Sequence, residues 1–245
     1  MGDWTDTFFV GLWADLQRLS YTQEESAREA RFIRQAQELR RGSRVLDVPC
    51  GDGRISLELA KAGISVLGVD RCAASVRRAR RRFRAAGLPG RFEIGDMRGL
   101  GSAPRVHAVI NWWGSFGYYD DETNLAILRG FAGRVAPRGR VLVDQVNRER
   151  ILRDFGHRMT ADYGAVRVVT RNRWDPVFQR INGRWTAISG RRREERRSSI
   201  RLYTPAQMAR LMEAAGLEVV RVYGGVDGGP YDRGTRRMVT VGRRP

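Results

Sequence analysis

Between residues 44 and 146 the chain alternates short apolar runs with stretches whose apolar residues recur every three or four positions. The runs "RVLDV" (44–48), "SVLGVD" (65–70), "RFEIGD" (91–96), "HAVINWW" (107–113) and "RVLVDQV" (140–146) read as strands. Helices are expected over 55–63, 73–87 and 122–135, one in each gap but the third, which reads as a loop. Val/Ile/Leu-rich strands alternating with helices imply a parallel sheet covered on both faces. Upstream, 4–19 and 23–40 read as helices, the first rich in aromatics through Trp4, Phe8, Phe9 and Trp13, the second ending at Gly42.

After about residue 160 the period changes from three or four to two. "AVRVVTRNRWD", "RINGRWTAIS" and "RRREERRSSIRLY" read as three antiparallel strands, with Asn182 and Gly183 as turn residues between the first two. A helix over 205–216 and strands over 217–225 and 236–242 follow, the last two separated by the loop "GGVDGGPYDRG". The expected fold class is therefore α/β, a seven-stranded mostly parallel sheet with helices on both faces, and an antiparallel insertion after the fifth strand acting as a lid. The boundaries predicted are 1–41 for a helical cap, 42–150 for a ligand-binding core, 151–203 for the inserted lid and 204–245 for completion of the sheet.

With 245 residues, 42% of them hydrophobic, the chain can bury one sizeable core. No run approaches the roughly 18 apolar residues of a membrane helix, and the amino terminus lacks the basic start and cleavage site of a signal peptide, so a cytoplasmic protein without a membrane partner is expected. Cys50 and Cys72 are too few for a disulfide framework, and His107 and His157 have no metal-ligand spacing, so no metal is expected. A net charge of +18 ordinarily suggests nucleic acid. Here Lys61 is the one lysine, and the densest basic run, Arg77 to Arg84, points in every direction of a helix; a solvated arginine surface accounts for most of the charge.

The loop "DVPCGDG" after the first strand carries the chemistry. A dinucleotide fingerprint needs three glycines, but only Gly51 and Gly53 are present, Ser56 holds the third position, and Pro49 lacks a glycine's freedom. No Walker lysine follows. What remains is Asp47, the two glycines, and Asp70 closing the next strand. This suits a ligand with a ribose diol for Asp70, a cationic end for Asp47 and no pyrophosphate. Lone acids at strand ends commonly cap helices or turns, but two at adjacent carboxyl ends fall where open α/β sheets bind ligands.

In order, these pieces resemble the class I S-adenosylmethionine-dependent methyltransferases, in a small-molecule, natural-product branch, with a Rossmann-like sheet. The resemblance covers roughly residues 40–147 well and implies S-adenosyl-L-methionine as cofactor. It implies Asp47, Pro49, Gly51, Gly53 and Arg54 around the methionine part, Asp70 with Arg71 at the ribose, and Asp96 with Met97 beside adenine. Asn111 and Trp112, at the start of "NWWGSFGYYDD", complete the implied cofactor set. Cys50 is read as a small buried residue, because enzymes that use a cysteine nucleophile on cytosine carry it in the fourth-strand region.

Methyl transfer is an in-line displacement whose first requirement is an aligned nucleophile; a base is needed only if the acceptor starts protonated. Candidate pocket walls are Trp4, Phe8, Trp13 and Tyr21, then Trp113, Phe116 and Tyr119, and Trp174 and Trp185 of the insertion. His157 and Tyr118 are the candidate catalytic groups, with Tyr119 and Asp144 comparable and unranked. The favoured acceptor is the O, N or C nucleophile of a small molecule or peptide. The alternative is an RNA or other nucleic-acid methyltransferase using the arginine surface, although "NWWG" lacks the prolines typical of enzymes acting on exocyclic base amines. A third reading is a cofactor-binding scaffold without turnover.

Overall fold

The computed structural model describes residues 3–100 and 105–245; Met1 and Gly2 of the expected cap, and residues 101–104 of the loop after the third strand, lie outside them. The first five apolar runs form β1 (Arg44–Asp47), β2 (Ser65–Asp70), β3 (Arg91–Ile94), β4 (Val106–Asn111) and β5 (Val135–Val146). Two strands near the carboxyl end, β10 (Glu218–Tyr223) and β11 (Arg237–Arg243), join them in a seven-stranded sheet of order β10-β11-β5-β4-β1-β2-β3. β1 to β5 pair in parallel, while β11 runs antiparallel to both β5 and β10. The strand-length register matters: Val45, Ala108, Ile110, Leu142 and Val239 face one side, and Leu46, Val109, Val141, Val143 and Met238 the other. Such two-sided burial is what unbroken apolar runs predict.

On the first side pack α3 (Gln23–Ala36) and α4 (Arg54–Lys61), through Phe32, Ile33, Ile55 and Leu59. On the second, with the short α7 (Arg148–Arg153) following β5 between them in sequence, pack α6 (Asp121–Arg134) and α8 (Pro205–Ala214), through Ile127, Leu128, Phe131, Met208 and Met212. α5 (Ala73–Ala85) covers the β2–β3 edge with Val76, Ala79 and Phe83. Capping boxes start α3 at Thr22 and α8 at Thr204, each with a reciprocal side-chain partner three residues on.

Several sequence expectations are corrected. The single helix expected over 4–19 is two, α1 (Thr5–Phe8) and α2 (Leu12–Leu19), because Gly11 adopts φ 65° and the space a Cβ would need there is taken by Glu194, with Oε2 at 2.7 Å. β5 starts earlier than expected, Val135 already pairing with Val106 across "APRG". The insertion has four strands, not three: β6 (Arg158–Tyr163), β7 (Val166–Asp175), β8 (Arg180–Ser189) and β9 (Arg192–Arg201), paired in that order as an antiparallel meander. Asn182 and Gly183 lie inside β8, opposite Ser199 and Ser198. The turn is instead at 176–179, where the Asp175 carboxylate accepts the backbone N–H groups of Val177 and Phe178 at 3.0 Å.

Candidate active site

A cavity of about 610 Å³ opens above the carboxyl ends of β1, β2 and β4, between the sheet, the amino-terminal helices and β7–β9. Its floor is the glycine loop. Gly53 sits at φ 76° as the N-cap of α4, and a Cβ there would lie 3.0 Å from the Ala79 Cβ, so glycine is required for α4 and α5 to close on each other. The Gly51 and Cys72 amides donate to the two carboxylate oxygens of Asp70 at 2.9 and 2.7 Å. Each oxygen keeps acceptor capacity for a hydroxyl. Burial raises the Asp70 carboxyl, and those two amides oppose the rise.

Asp47 is buried at the end of β1, accepting the Ser56 hydroxyl at 2.6 Å. Burial pushes its carboxyl up to about 7, against Ser56 and the charge of Arg54. The folded protein therefore holds a proton that the unfolded chain releases near pH 4, roughly the ordinary carboxylate value, and stability falls as pH rises from there through about 7. Asp144, raised by burial to about 6, adds to the lower part of that window. Asp47→Asn is expected to flatten the dependence of the urea midpoint on pH between about 6 and 7; an undiminished slope there would refute the assignment. A cation placed beside Asp47 reverses the shift, so a cationic ligand gains affinity over the same rise in pH.

Arg54, at the first position of α4, is buried with Nη1 2.6 Å from Glu29 Oε2 and its guanidinium over the rings of Tyr21 (4.7 Å) and Trp113 (5.2 Å). Its Nη2 is buried without a protein partner, an unfilled donor on a cavity-lining residue. Glu29 also accepts from Trp112 Nε1 (2.9 Å) and Arg237 Nη2 (3.2 Å), and Arg237 pairs with Asp144. Asp144 in turn accepts the backbone N–H groups of Trp113 (2.8 Å) and Gly114 (3.2 Å), holding the loop after β4.

Two contacts tie the amino-terminal segment over the cavity. Tyr21 donates to Asp52 of the glycine loop at 2.6 Å, beside Arg82, and burial with that hydrogen bond pushes its hydroxyl up to about 12. Arg71 reaches Asp3, Thr5 and Asp6, with Asp96 3.7 Å away. Asp96 is chelated by Arg98 at 2.7 and 3.0 Å; its burial raises the carboxyl, and the Arg98 hydrogen bonds outweigh that and hold it low.

Of the residues expected at a ligand site, Asp47, Pro49, Gly51, Arg54, Asp70, Arg71, Asp96, Met97 and Trp112 line this cavity. So do Phe8, Trp13, Tyr21, Trp113, Tyr118, Tyr119 and Trp185, together with Trp4. Gly53 lies just beneath, as the helix cap. Asn111 does not line the cavity: its side chain is buried, donating to the Val48 carbonyl at 2.8 Å. Phe116 is core, 1% exposed and packed on Tyr203. Trp174 lies under the Arg148 guanidinium, away from the cavity, because its place near the far end of β7 carries it past the sheet ends. His157 is exposed at the edge of β6, edge-on to Phe155, and does not reach the cavity. Cys50 is buried, and burial pushes its thiol well up, consistent with a packing role.

The sequence reading missed Phe9, Ser198 and Ile200 as lining residues. Phe9 lay inside the aromatic run already noted. Ser198 and Ile200 follow from the period of two once β8–β9 register is known, since Ser198 pairs with Gly183 and Ile200 with Ile181 on the face that carries Trp185.

Residues 45–139 match the model of a methyltransferase domain. Over 206 residues, 82% of this chain and 82% of the relative, the chain is 28% identical to the cypemycin N-terminal methyltransferase of Streptomyces sp. It is 35% identical over 88 residues, but only 20% of the relative, to the 23S rRNA (uracil(1939)-C(5))-methyltransferase RlmD of Dechloromonas aromatica. Among solved structures, an S-adenosylmethionine-dependent methyltransferase from Clostridium acetobutylicum superposes with a TM-score of 0.81 at 15% identity, covering 95% of this chain and 96% of that one.

Proposed function

We propose that this chain is a class I S-adenosylmethionine-dependent methyltransferase that methylates an amine nitrogen of a small molecule or peptide held in the aromatic chamber above the strand ends. The residues present suit the donor. Asp70 offers two acceptor oxygens to the ribose diol, Asp47 a carboxylate to the ammonium, and the unfilled Nη2 of Arg54 a donor to the carboxylate. Met97 and Asp96 line the same cavity and would flank the adenine. When bound, S-adenosylmethionine supplies a sulfonium whose methyl carbon is already electrophilic.

The chain's own task is then to align the acceptor and keep water out. Trp4, Phe8, Trp13, Tyr118 and Trp185 form a continuous ring wall, with successive centroids 4.9 to 6.0 Å apart. Such faces favour apolar groups and cations, including an amine after it has gained a methyl and a charge.

The observation that carries the choice of nitrogen is the state of the protonable groups lining the chamber. Asp47 is bonded to Ser56, Asp52 to Tyr21 and Arg82, Asp70 to two amides, and Asp96 to Arg98. Burial raises the hydroxyls of Tyr118 and Tyr119, which keeps them as donors rather than bases. An α-amino group, with a pKa of about 8, already has a sizeable uncharged fraction with a free lone pair near neutral pH and needs no base in the site; a phenol or alcohol does. The cypemycin enzyme, whose name places its methyl on an N-terminus, supports the same choice. The aromatic lining of the chamber argues against the nucleic-acid alternative, which calls for an open basic groove.

The reading is tested with a panel of amine, phenol and alcohol acceptors, methyl gain being followed by mass spectrometry. Amines alone are expected to react, and Tyr118→Phe and His157→Ala to keep kcat within about threefold, where loss of a general base costs about 10²–10⁴-fold. Preferential turnover of phenols, or a loss of that size in Tyr118→Phe, overturns it.

A further inference from the structure

Antiparallel register places four arginines in one row across the second sheet: Arg158 opposite Arg171, Arg171 opposite Arg184, and Arg184 opposite Arg197. All four are exposed. The face is the one turned away from the chamber, since Trp185, Ser198 and Ile200 occupy the alternate positions that line it. Like charges directly opposite one another destabilise a sheet, and this row repeats the opposition three times. Arg184 is relieved by Glu195 at 2.8 Å; among the described residues the side chains of Arg158, Arg171 and Arg197 have no ion-pair or hydrogen-bond partner.

The row does not end blindly. Arg184 and Arg197, with Arg196, Glu195, Thr7 and Trp4, line a second depression of about 320 Å³. Trp4 is also a wall of the main cavity. A basic track thus crosses the sheet and stops at a ring shared with the chamber.

We propose that this arginine row docks an extended acidic segment of the acceptor polypeptide, whose amine terminus follows the depression past Trp4 into the chamber. The proposal rests on the reading of a peptide amine as acceptor. The dimensions agree: three strand spacings of about 4.8 Å give a track of about 14 Å, and same-side residues of an extended peptide recur every ~6.7 Å, so carboxylates at i, i+2 and i+4 span it. Guanidinium forks pair well with carboxylates. Beside the row, Thr160 is exposed and its partner Val169 half-buried, a hydroxyl and an apolar group within reach of the intervening side chains of a peptide. A nucleic acid fits less well. Unspecific single-strand binding needs aromatic rings for the bases, and Trp174 and Trp185 both belong to the opposite face.

The test uses a fluorescent synthetic peptide with a free amino terminus and aspartates at alternate positions of its second half, and a control with serine at those positions. Anisotropy is read with S-adenosylhomocysteine present, for the natural chain and for Arg171→Glu/Arg197→Glu. The acidic peptide is expected to bind the variant at least about tenfold more weakly and with a shallower salt dependence. The serine peptide and the affinity for S-adenosylhomocysteine should not change. Equal affinity of both proteins for the acidic peptide overturns the proposal, as does tighter binding of oligouridylate than of the acidic peptide. Methylation of a free small amine is measured in parallel. Turnover of that amine without row-dependent peptide binding removes the docking site alone; row-dependent binding without turnover of any amine keeps the docking site and removes the acceptor reading.

Discussion

Alanine in place of Glu29 is expected to lower the free energy of unfolding by about 3–5 kcal/mol, a large share of the stability of an ordinary domain. Glu29 is 8% exposed and accepts from Arg54, Trp112 and Arg237 at once. Without it, Arg54 keeps a full charge in a site where its side chain is 7% exposed and one Nη is already unpartnered. The rings of Tyr21 and Trp113 flank that charge but cannot neutralise it. Glu29→Gln keeps an acceptor and should lose less. Urea unfolding of the two variants checks this; a loss below about 1 kcal/mol in the alanine variant would mean that water already reaches Arg54.

The second large effect is on ligand binding. On the proposed ribose contact, Asp70→Ala removes a charged acceptor for two hydroxyls, each such bond being worth about 1.5–3 kcal/mol. Affinity for S-adenosylmethionine should therefore fall by at least about 100-fold. Calorimetry on the folded variant measures it, with circular dichroism as the control for the freed Gly51 and Cys72 amides. Affinity within about threefold of the natural chain would remove Asp70 from the ribose.

The parallel sheet was legible in the sequence because its signal is local: "RVLDV", "SVLGVD" and "HAVINWW" are strands by composition and spacing alone. The floor of the cavity was legible for the same reason, since Asp47, Gly51 and Asp70 sit at fixed offsets from those strands. What escaped depends on partners distant in sequence. Gly11 interrupts a helical pattern only because Glu194 of β9 fills the space beside it. Gly183 looks like a turn residue, yet it sits inside β8 where a Cβ would collide with the Trp185 indole at 2.5 Å. β6, every residue of which is exposed or half-buried, has no apolar alternation to announce it. His157 drew attention as a residue type with a useful pKa range, and type says nothing of the face on which a residue lies. The Glu29, Arg54 and Arg237 cluster joins three elements whose charges carry no periodicity at all.

The position of β11 bears on how the chain is made. It is the last strand in sequence, but it lies inside the sheet, between β5 and β10. Arg237 at its start closes onto Glu29 across 208 positions. A nascent chain therefore carries β5 as a bare edge, and the buried charge of Glu29 and Asp144 lacks its cation, until β11 has left the ribosome. The core completes late and cooperatively, and the loop after β4, held by Asp144, takes its final shape only with that closing step.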